Sequence, residues 1–228
     1  MLQTLNIKAP PNEIVFVSDL HWGHDREFLW GKRGFKSVQE HDEAMVHRWN
    51  EVCTERTIAI HLGDICFMDG DGKRFEILIR RLNFGVLYSL LGNHNSGLKV
   101  AYTQALKTQY PDAALRGAEV YPLEITVDGN PAKKVVFLPE YLEAHINGQR
   151  CTLCHYPIAS HHKVGHGSYG IFGHSHGSLP MTNKDTGVGK RIDLGIESFG
   201  RPITFTELKR FMDARPAHSY DHHGAETN

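Results

Sequence analysis

The chain has 228 residues, 40% apolar and 22% charged, with 25 Lys and Arg against 26 Asp and Glu for a formal charge of −1. At roughly 150 residues per domain this is one large domain or two small ones, and the composition excludes disorder as the general state. The near-neutral balance argues against a polyanion grip driven by bulk charge, and no run approaches the roughly 18 apolar residues of a membrane span.

The count that asks for a reason is 16 His, because imidazole is the commonest metal ligand and titrates near neutral pH. The N-terminus, MLQTLNIKAPPNE, lacks a basic start followed by an apolar stretch, so no signal peptide is expected. Four Cys do not make a disulfide framework. Reduced thiols and a cytoplasmic location are the expectation.

In chain order, residues 13–18 (EIVFVS) follow a Pro-Pro breaker and read as a buried strand. Residues 37–53 carry apolar side chains at helical spacing, with Ser37 and Glu40 resembling a capping box. Residues 57–62 (TIAIHL) read as a second strand, 73–82 as an amphipathic helix, 86–91 (VLYSLL) as a third strand and 98–108 as another helix. The character then turns strand-rich. Segments 119–127, 133–138 and 149–153 read as strands, with Asp128-Gly129 and Asn147-Gly148 as turn signals. Strands at 169–173, 191–194 and 203–205 and a helix at 206–212 complete the series. Alternation followed by strands, with no linker or repeat, predicts one α/β layered domain over residues 1–214. Residues 215–228 are polar and read as a frayed tail carrying His218, His222 and His223.

Five of these strands run into polar residues of related chemistry. They end Asp19-Leu20-His21, Gly63-Asp64, Gly92-Asn93-His94, Cys154-His155 and Gly173-His174-Ser175-His176. Taken alone, Asp-x-His reads as a turn or a polar pair, Gly-Asp as a turn, Gly-Asn-His as a loop and His155 as a hydrogen-bonded imidazole. Together they form a set. Residues i and i+2 of extended chain point the same way, so Asp19 can meet His21, and His174 can meet His176. Strand C-terminal ends are where α/β sheets gather ligand groups. The preceding glycines leave room for close backbone approach. Two carboxylates, an amide and several imidazoles suit Mn, Fe, Zn or Ni rather than Ca or thiolate-bound structural Zn.

This ordered set resembles the calcineurin-like metallophosphoesterase superfamily, and SDLHWGH, HLGDICF and LCHYP resemble its small single-domain bacterial and phage members. The resemblance covers residues 13–212. It implies a four-layer α/β/β/α sandwich with two facing mixed sheets and a binuclear centre of two divalent metal ions, with Mn favoured for activity. Asp19, His21, Asp64 and His176 would hold one metal. Asp64, Asn93, His155 and His174 would hold the other, with Asp64 bridging. His94 would lie outside the ligand set and act as the catalytic group, stabilising phosphoryl charge or protonating the leaving oxygen. The implied activity is hydrolysis of phosphodiester or phosphomonoester bonds by in-line attack of hydroxide. The substrate would be a phosphate-ester small molecule or a nucleotide-like compound, with nucleic acid unsupported by the charge balance. The competing class is a catalytically idle scaffold of the same fold that acts through protein binding.

Two positions depart from the superfamily pattern. Asn95 stands where many members have Asp or Glu, and Phe67 stands where several phosphatase branches carry a carboxylate that orients the catalytic His. Asp69 is either a substitute for that carboxylate or a solvated loop residue beside Gly70. Four further features have alternatives. Cys151-x-x-Cys154 reads better as buried structural thiols than as a Zn or redox motif. Lys32 and Arg33 are either a substrate-phosphate contact or a solvated loop. His161, His162 and His166 are candidates for the mouth of the site, and Trp22 for a pocket wall or a packing residue.

Overall fold

The computed structural model describes residues 4–67, 72–94, 96–179 and 189–217. Its elements in chain order are β1 (Leu5–Ile7), β2 (Ile14–Val17), α1 (Glu27–Trp30), α2 (Val38–Asn50), β3 (Ile58–His61), α3 (Lys73–Arg81) and β4 (Val86–Leu90). Then come α4 (Ser96–Gln109), α5 (Pro111–Leu115), β5 (Leu123–Val127), β6 (Asn130–Leu138), β7 (Tyr141–Ile146) and β8 (Gln149–Cys154). The last are β9 (Tyr169–Phe172), β10 (Arg191–Asp193), α6 (Ile196–Phe199), β11 (Ile203–Thr204) and α7 (Phe205–Asp213).

The strands form two mixed sheets. One has the order β11-β2-β3-β4-β6-β5, with β2, β3, β4 and β6 parallel and both edges antiparallel. The other has the order β1-β7-β8-β9-β10, with only the β7–β8 hairpin antiparallel. The sequence explains the layering. A central strand reads as a continuous apolar run when both of its faces are covered. In β2, Val15 and Val17 face a cluster shared with Met45, Val46 and Trp49 of α2, Phe75 and Leu78 of α3, and Leu98 and Tyr102 of α4. The alternate residues Ile14 and Phe16 face a second cluster with Ala144, Leu153, Ile171 and Ile192 of the other sheet. The sheets therefore share one apolar interior, and helices cover the outer face of the first.

Among the described residues, loop segments rather than a helix lie on the outer face of the second sheet, where a helical layer was expected. His161 lies edge-on to Phe172 at 6.3 Å, His162 bonds Glu143 at 2.9 Å, and Arg191 donates to the Ala159 carbonyl at 2.6 Å. His161 and His162 are thus tied to this face of the sheet. Helix α7 instead joins the inter-sheet core through Phe205, Leu208 and Met212. Its Thr204–Glu207 capping box is complete. At α2 the box is half made: Ser37 accepts from the Glu40 amide at 3.1 Å, but the Glu40 carboxylate turns to the Lys36 amide at 2.7 Å.

Most expected strands and helices form within a residue or three of their predicted bounds. Strand β5 starts four residues later than expected, after a cis Tyr121-Pro122 bond. Strands β1 and β7 and the short helices α1, α5 and α6 are additions. Strand β7 (YLEAHI) is the instructive omission: it alternates half-buried and buried residues but carries Glu143 and His145 on its outer face. The tail boundary also moves. Arg215 is buried and donates to the Arg191 carbonyl, so the ordered fold reaches past residue 214. Residues 218–228, with His218, His222 and His223, lie outside the described residues. No described helix is long and apolar enough to cross a membrane.

Candidate metal centre

The two sheets meet at the C-terminal ends of their parallel strands, and the backbone shows how. The Ser18 amide donates to the Leu194 carbonyl at 2.8 Å and the Ile196 amide donates to the Ser18 carbonyl at 3.0 Å, which ties β2 to the end of β10. Asp19 N bonds Gly63 O at 3.1 Å, His21 N bonds Asp64 O at 2.9 Å, and Gly173 N bonds His155 O at 3.0 Å. The segments that follow five strands are thereby laced together before any side chain is considered.

The polar side chains converge where these segments cross. One oxygen of Asp64, Oδ2, lies 3.7 Å from His21 Nε2 and 3.5 Å from His155 Nε2. The other, Oδ1, accepts the His94 amide at 2.8 Å. On one side of Asp64, His21 Nε2 stands 3.3 Å from His176 Nε2 and 3.9 Å from Asp19 Oδ1. On the other side, Asn93 Oδ1 is 2.9 Å from His155 Nε2 and 3.0 Å from His174 Nδ1. Donor atoms of Asp19, His21 and His176 all lie within 4.8 Å of one another, as do those of Asp19, Asp64 and His155. All seven expected ligand residues are in this cluster. His94 is beside it, its ring 5.6 Å from His21, 6.1 Å from His24 and 6.0 Å from Phe67.

The route to convergence differs from the extended geometry expected. Asp19, His21, Asp64, His174 and His176 all have left-handed backbone, with φ of 59°, 51°, 58°, 71° and 49°. A tight turn at each residue, rather than alternation along a strand, aims these side chains. Non-glycine residues adopt such φ at a cost of about 1–3 kcal/mol, sustained only where the surroundings impose it. Glycine supplies the clearance. A Cβ at Gly92 would strike the Asp64 carboxylate, and one at Gly173 would strike Ser18 Oγ and come within 2.7 Å of Asp19 Oδ2.

The electrostatics are those of a cluster short of positive charge. Asp19 is buried, and its Oδ1 has no hydrogen-bond partner among the described residues. Burial, aided by the charges of Asp64 and Asp193 and opposed by His155 and His176, pushes its carboxyl up to about 7. At Asp64 burial acts the same way, but the His155 hydrogen bond and the charges of His21 and His155 outweigh it and hold the group well below the carboxylate range. Burial pulls His21 well below the usual imidazole range, which keeps its ring neutral. His155 donates Nδ1–H to the Leu62 carbonyl at 2.9 Å, which turns Nε2 towards two oxygens, Asp64 Oδ2 and Asn93 Oδ1. A neutral imidazole would set a lone pair against lone pairs there. Either a proton or a cation relieves that contact, and an orphaned buried carboxylate oxygen is an expensive group without one. The donors are N and O from imidazole, carboxylate and amide, and they fit a first-row divalent cation.

Sequence reasoning missed two supporting residues, Glu197 and Asp193, and left a third, Arg33, with two readings. Glu197, at the start of α6, accepts from His176 Nδ1 at 2.6 Å and from Arg33 at 2.6 and 2.8 Å. Burial opposes charge on both partners, yet their shared hydrogen bond, with the charge of Glu197 on His176 and of Arg33 on Glu197, keeps His176 raised and Glu197 lowered. Arg33 also donates to the Asp19 carbonyl at 2.6 Å and the Leu20 carbonyl at 3.0 Å, so its side chain is a buried brace rather than a solvated loop residue. Asp193 accepts from the Ser175 hydroxyl, from Gly177 N at 2.9 Å and from Gly195 N at 2.8 Å, which shapes the turn bearing both late His. Its signal was weak: the three-residue strand it ends, Arg191-Ile192-Asp193, holds a single apolar residue. Glu197 has no such signal, since a four-residue helix shows no periodicity.

Other candidates take plainer places. Phe67 packs on His24 at 3.9 Å between ring centroids. Asp69 and Asn95 lie outside the described residues. Trp22 packs in the helix-side core. Cys151 and Cys154 are buried free thiols raised by burial, which keeps them from acting as thiolates.

No family model matches the chain. Over 83 residues it is 29% identical to the uncharacterized protein MJ1445 of Methanocaldococcus jannaschii, a match covering 36% of this chain and 47% of that protein. The chain therefore spans about half the length of the curated relative it matches. Among solved structures it is similar to the protein of unknown function AQ665 from Aquifex aeolicus, with a TM-score of 0.56, 17% identity, and coverage of 86% of this chain and 97% of that one. That likeness speaks to the fold alone.

Proposed function

We propose that this corner holds two divalent metal ions and hydrolyses phosphate esters, on a calcineurin-like variant of the two-sheet sandwich. One observation carries the reading. The single oxygen Asp64 Oδ2 sits between two imidazole nitrogens that come from different strands and different sheets, at 3.7 and 3.5 Å, with a second set of donors behind each. Asp19, His21, Asp64 and His176 would hold one ion, and Asp64, Asn93, His155 and His174 the other. The chemistry such a pair supplies is Lewis acidity, towards a water nucleophile and towards the phosphoryl oxygens.

The rest falls to the chain's own groups. Leu62 O fixes the His155 tautomer and Glu197 fixes that of His176, so each presents Nε2 to the cluster. Arg33 ties Glu197 to the Asp19 backbone, which holds the first two donors in register. The exposed His94 is positioned by the hydrogen bond that its backbone N–H donates to Asp64 Oδ1, and its side chain can reach an incoming ester. Its imidazole N–H can donate to a phosphoryl or leaving-group oxygen, a role that contributes about 10²–10⁴-fold where it is general acid catalysis. Phe67 and His24 back that ring where related enzymes are expected to have a carboxylate.

The test pairs two variants with a metal count. Hydrolysis of bis-p-nitrophenyl phosphate and p-nitrophenyl phosphate is measured with added Mn²⁺, alongside bound metal per chain. Asp64→Ala is expected to lose both metal and turnover. His94→Ala is expected to keep the metal while turnover falls about 10²–10⁴-fold. Loss of metal in His94→Ala would overturn its assigned role. Bound metal with no hydrolysis of either ester would replace the enzyme by the scaffold.

A further inference from the structure

A cavity of about 690 Å³ opens beside the cluster, with His174 and His176 in its lining and Phe28, Leu29, Lys32 and Leu179 around them. That volume suits a small-molecule ligand. Its chemistry is divided. The polar side is the candidate metal centre. The other side is apolar and unusually exposed: Phe28 is 63% exposed and Leu179 38%. The described residues include six exposed large apolar side chains, and three of them surround this corner, since Tyr156 lies 4.8 Å from the His174 ring. Exposed apolar surface gathered at one polar cleft marks a binding site rather than chance.

The apolar wall is also held in place. Phe28 and Leu29 belong to α1, and the chain leaving α1 is anchored by Arg33 to the Asp19 and Leu20 carbonyls and to Glu197. The brace that orients His176 therefore fixes the wall as well. Lys32 stands on the same turn, is exposed, and has no carboxylate partner among the described residues. An apolar ligand without charge would leave that ammonium unused. An anionic ligand with a flat apolar part answers both sides.

From this arrangement we infer that the cavity binds the organic part of the ester as an aromatic ring, either an aryl group or a nucleobase, packed on Phe28 and Leu179 while the phosphate faces the metal cluster. The inference rests on the phosphoesterase reading and names its substrate class. Selectivity then comes from this wall, and small alkyl esters are poor ligands.

The test uses phosphonates, whose C–P bond is not hydrolysed, on Mn²⁺-loaded protein. Phenylphosphonate is expected to bind about tenfold more tightly than methylphosphonate, from the added buried ring atoms. Phe28→Ala and Leu179→Ala should each shrink that ratio towards about twofold and leave methylphosphonate binding unchanged. Both side chains are exposed, so melting curves should match the parent, and Phe28→Asp gives a second removal of the ring contact. Thymidine 5′-phosphonate against phenylphosphonate tells a nucleobase from a plain aryl group. Equal binding of phenyl and methyl ligands, or binding of neither, overturns the inference. Turnover of p-nitrophenyl phosphate without ring preference overturns it while sparing the esterase. Ring preference without turnover of any ester supports the pocket and sinks the esterase.

Discussion

Left-handed backbone occurs in two kinds of place in this molecule, and the contrast shows where its chemistry comes from. At the β5–β6 and β7–β8 hairpins, Asp128-Gly129 and Asn147-Gly148 take positive φ at both positions, 52° and 71° in one and 49° and 83° in the other. These turns are exposed and use the residues such turns favour. At the candidate metal-centre corner the same conformation falls on Asp19, His21, Asp64, His174 and His176, of which three are buried and three are His. The hairpins adopt it because their residues tolerate it. The corner adopts it because neighbouring strands leave no alternative, and the strain is retained where donor atoms meet.

The strongest way to break the comparison is at the glycine that makes the corner possible. Gly92→Ala places a methyl group on the Asp64 carboxylate and 2.7 Å from its amide. It should cost about 1–3 kcal/mol in urea unfolding and abolish Mn²⁺ binding in calorimetry. Gly129→Ala, with open space around its Cβ, should leave Mn²⁺ binding untouched. Equal metal affinity in Gly92→Ala and parent would show that the close approach is not needed.

A smaller effect is expected one step back from the donors. Glu197→Ala frees His176 to rotate and removes the partner of Arg33. Metal affinity should fall about 10–100-fold, with Glu197→Asp recovering part of it. A merely structural role would lower the melting temperature and leave the affinity of the folded protein alone.

The pH dependence of stability probes the wall behind the corner. His61 ends β3, fully buried, and burial holds its imidazole down to about 3, against opposing attraction from Asp64. In the unfolded chain it takes up a proton near 6.5. Between those values the unfolded state binds the extra proton, so stability is lost as pH falls from about 6.5, by at most about 1.4 kcal/mol per pH unit from this group. Urea midpoints at pH 7 and pH 5 should converge in His61→Phe relative to the parent. An unchanged difference would place the acid sensitivity elsewhere.

The mildest change separates strain from function. His174→Asn keeps a residue that tolerates positive φ. It should raise the melting temperature of the metal-free protein by about 2–4 °C if roughly 1 kcal/mol of strain is relieved, while weakening metal binding. At the hairpin the signs reverse: Asn147→Ala should lower the melting temperature and leave metal binding alone. A lower melting temperature in metal-free His174→Asn would remove the claim of stored strain.

Much of this was legible in the linear chain. The apolar runs ending in Asp19, Asp64, Asn93 and His174 announced both the strands and the polar residues that cluster at their ends, because a strand buried on both faces is apolar by necessity and its first polar residue marks its exit. Asp193 carried no such mark, since the strand it ends is Arg191-Ile192-Asp193. Strand β7 was passed over although Leu142, Ala144 and Ile146 alternate with Tyr141, Glu143 and His145, because a half-buried strand offers no continuous apolar run like those of the central strands. Arg33 misled for a simpler reason: two cations in a Gly-rich loop look solvated until three carbonyl and carboxylate groups are found to surround one of them.

The sequence by itself determined which segments are buried, where each ends and which donor chemistry stands at each end, because burial, turn propensity and ligand type are properties of short stretches. Only the tertiary structure decided that one Asp64 oxygen would lie between two imidazoles, that five donor residues would be held left-handed, and that Phe28 would flank them. Those outcomes depend on the order and spacing of strands far apart along the chain, which local pattern does not encode.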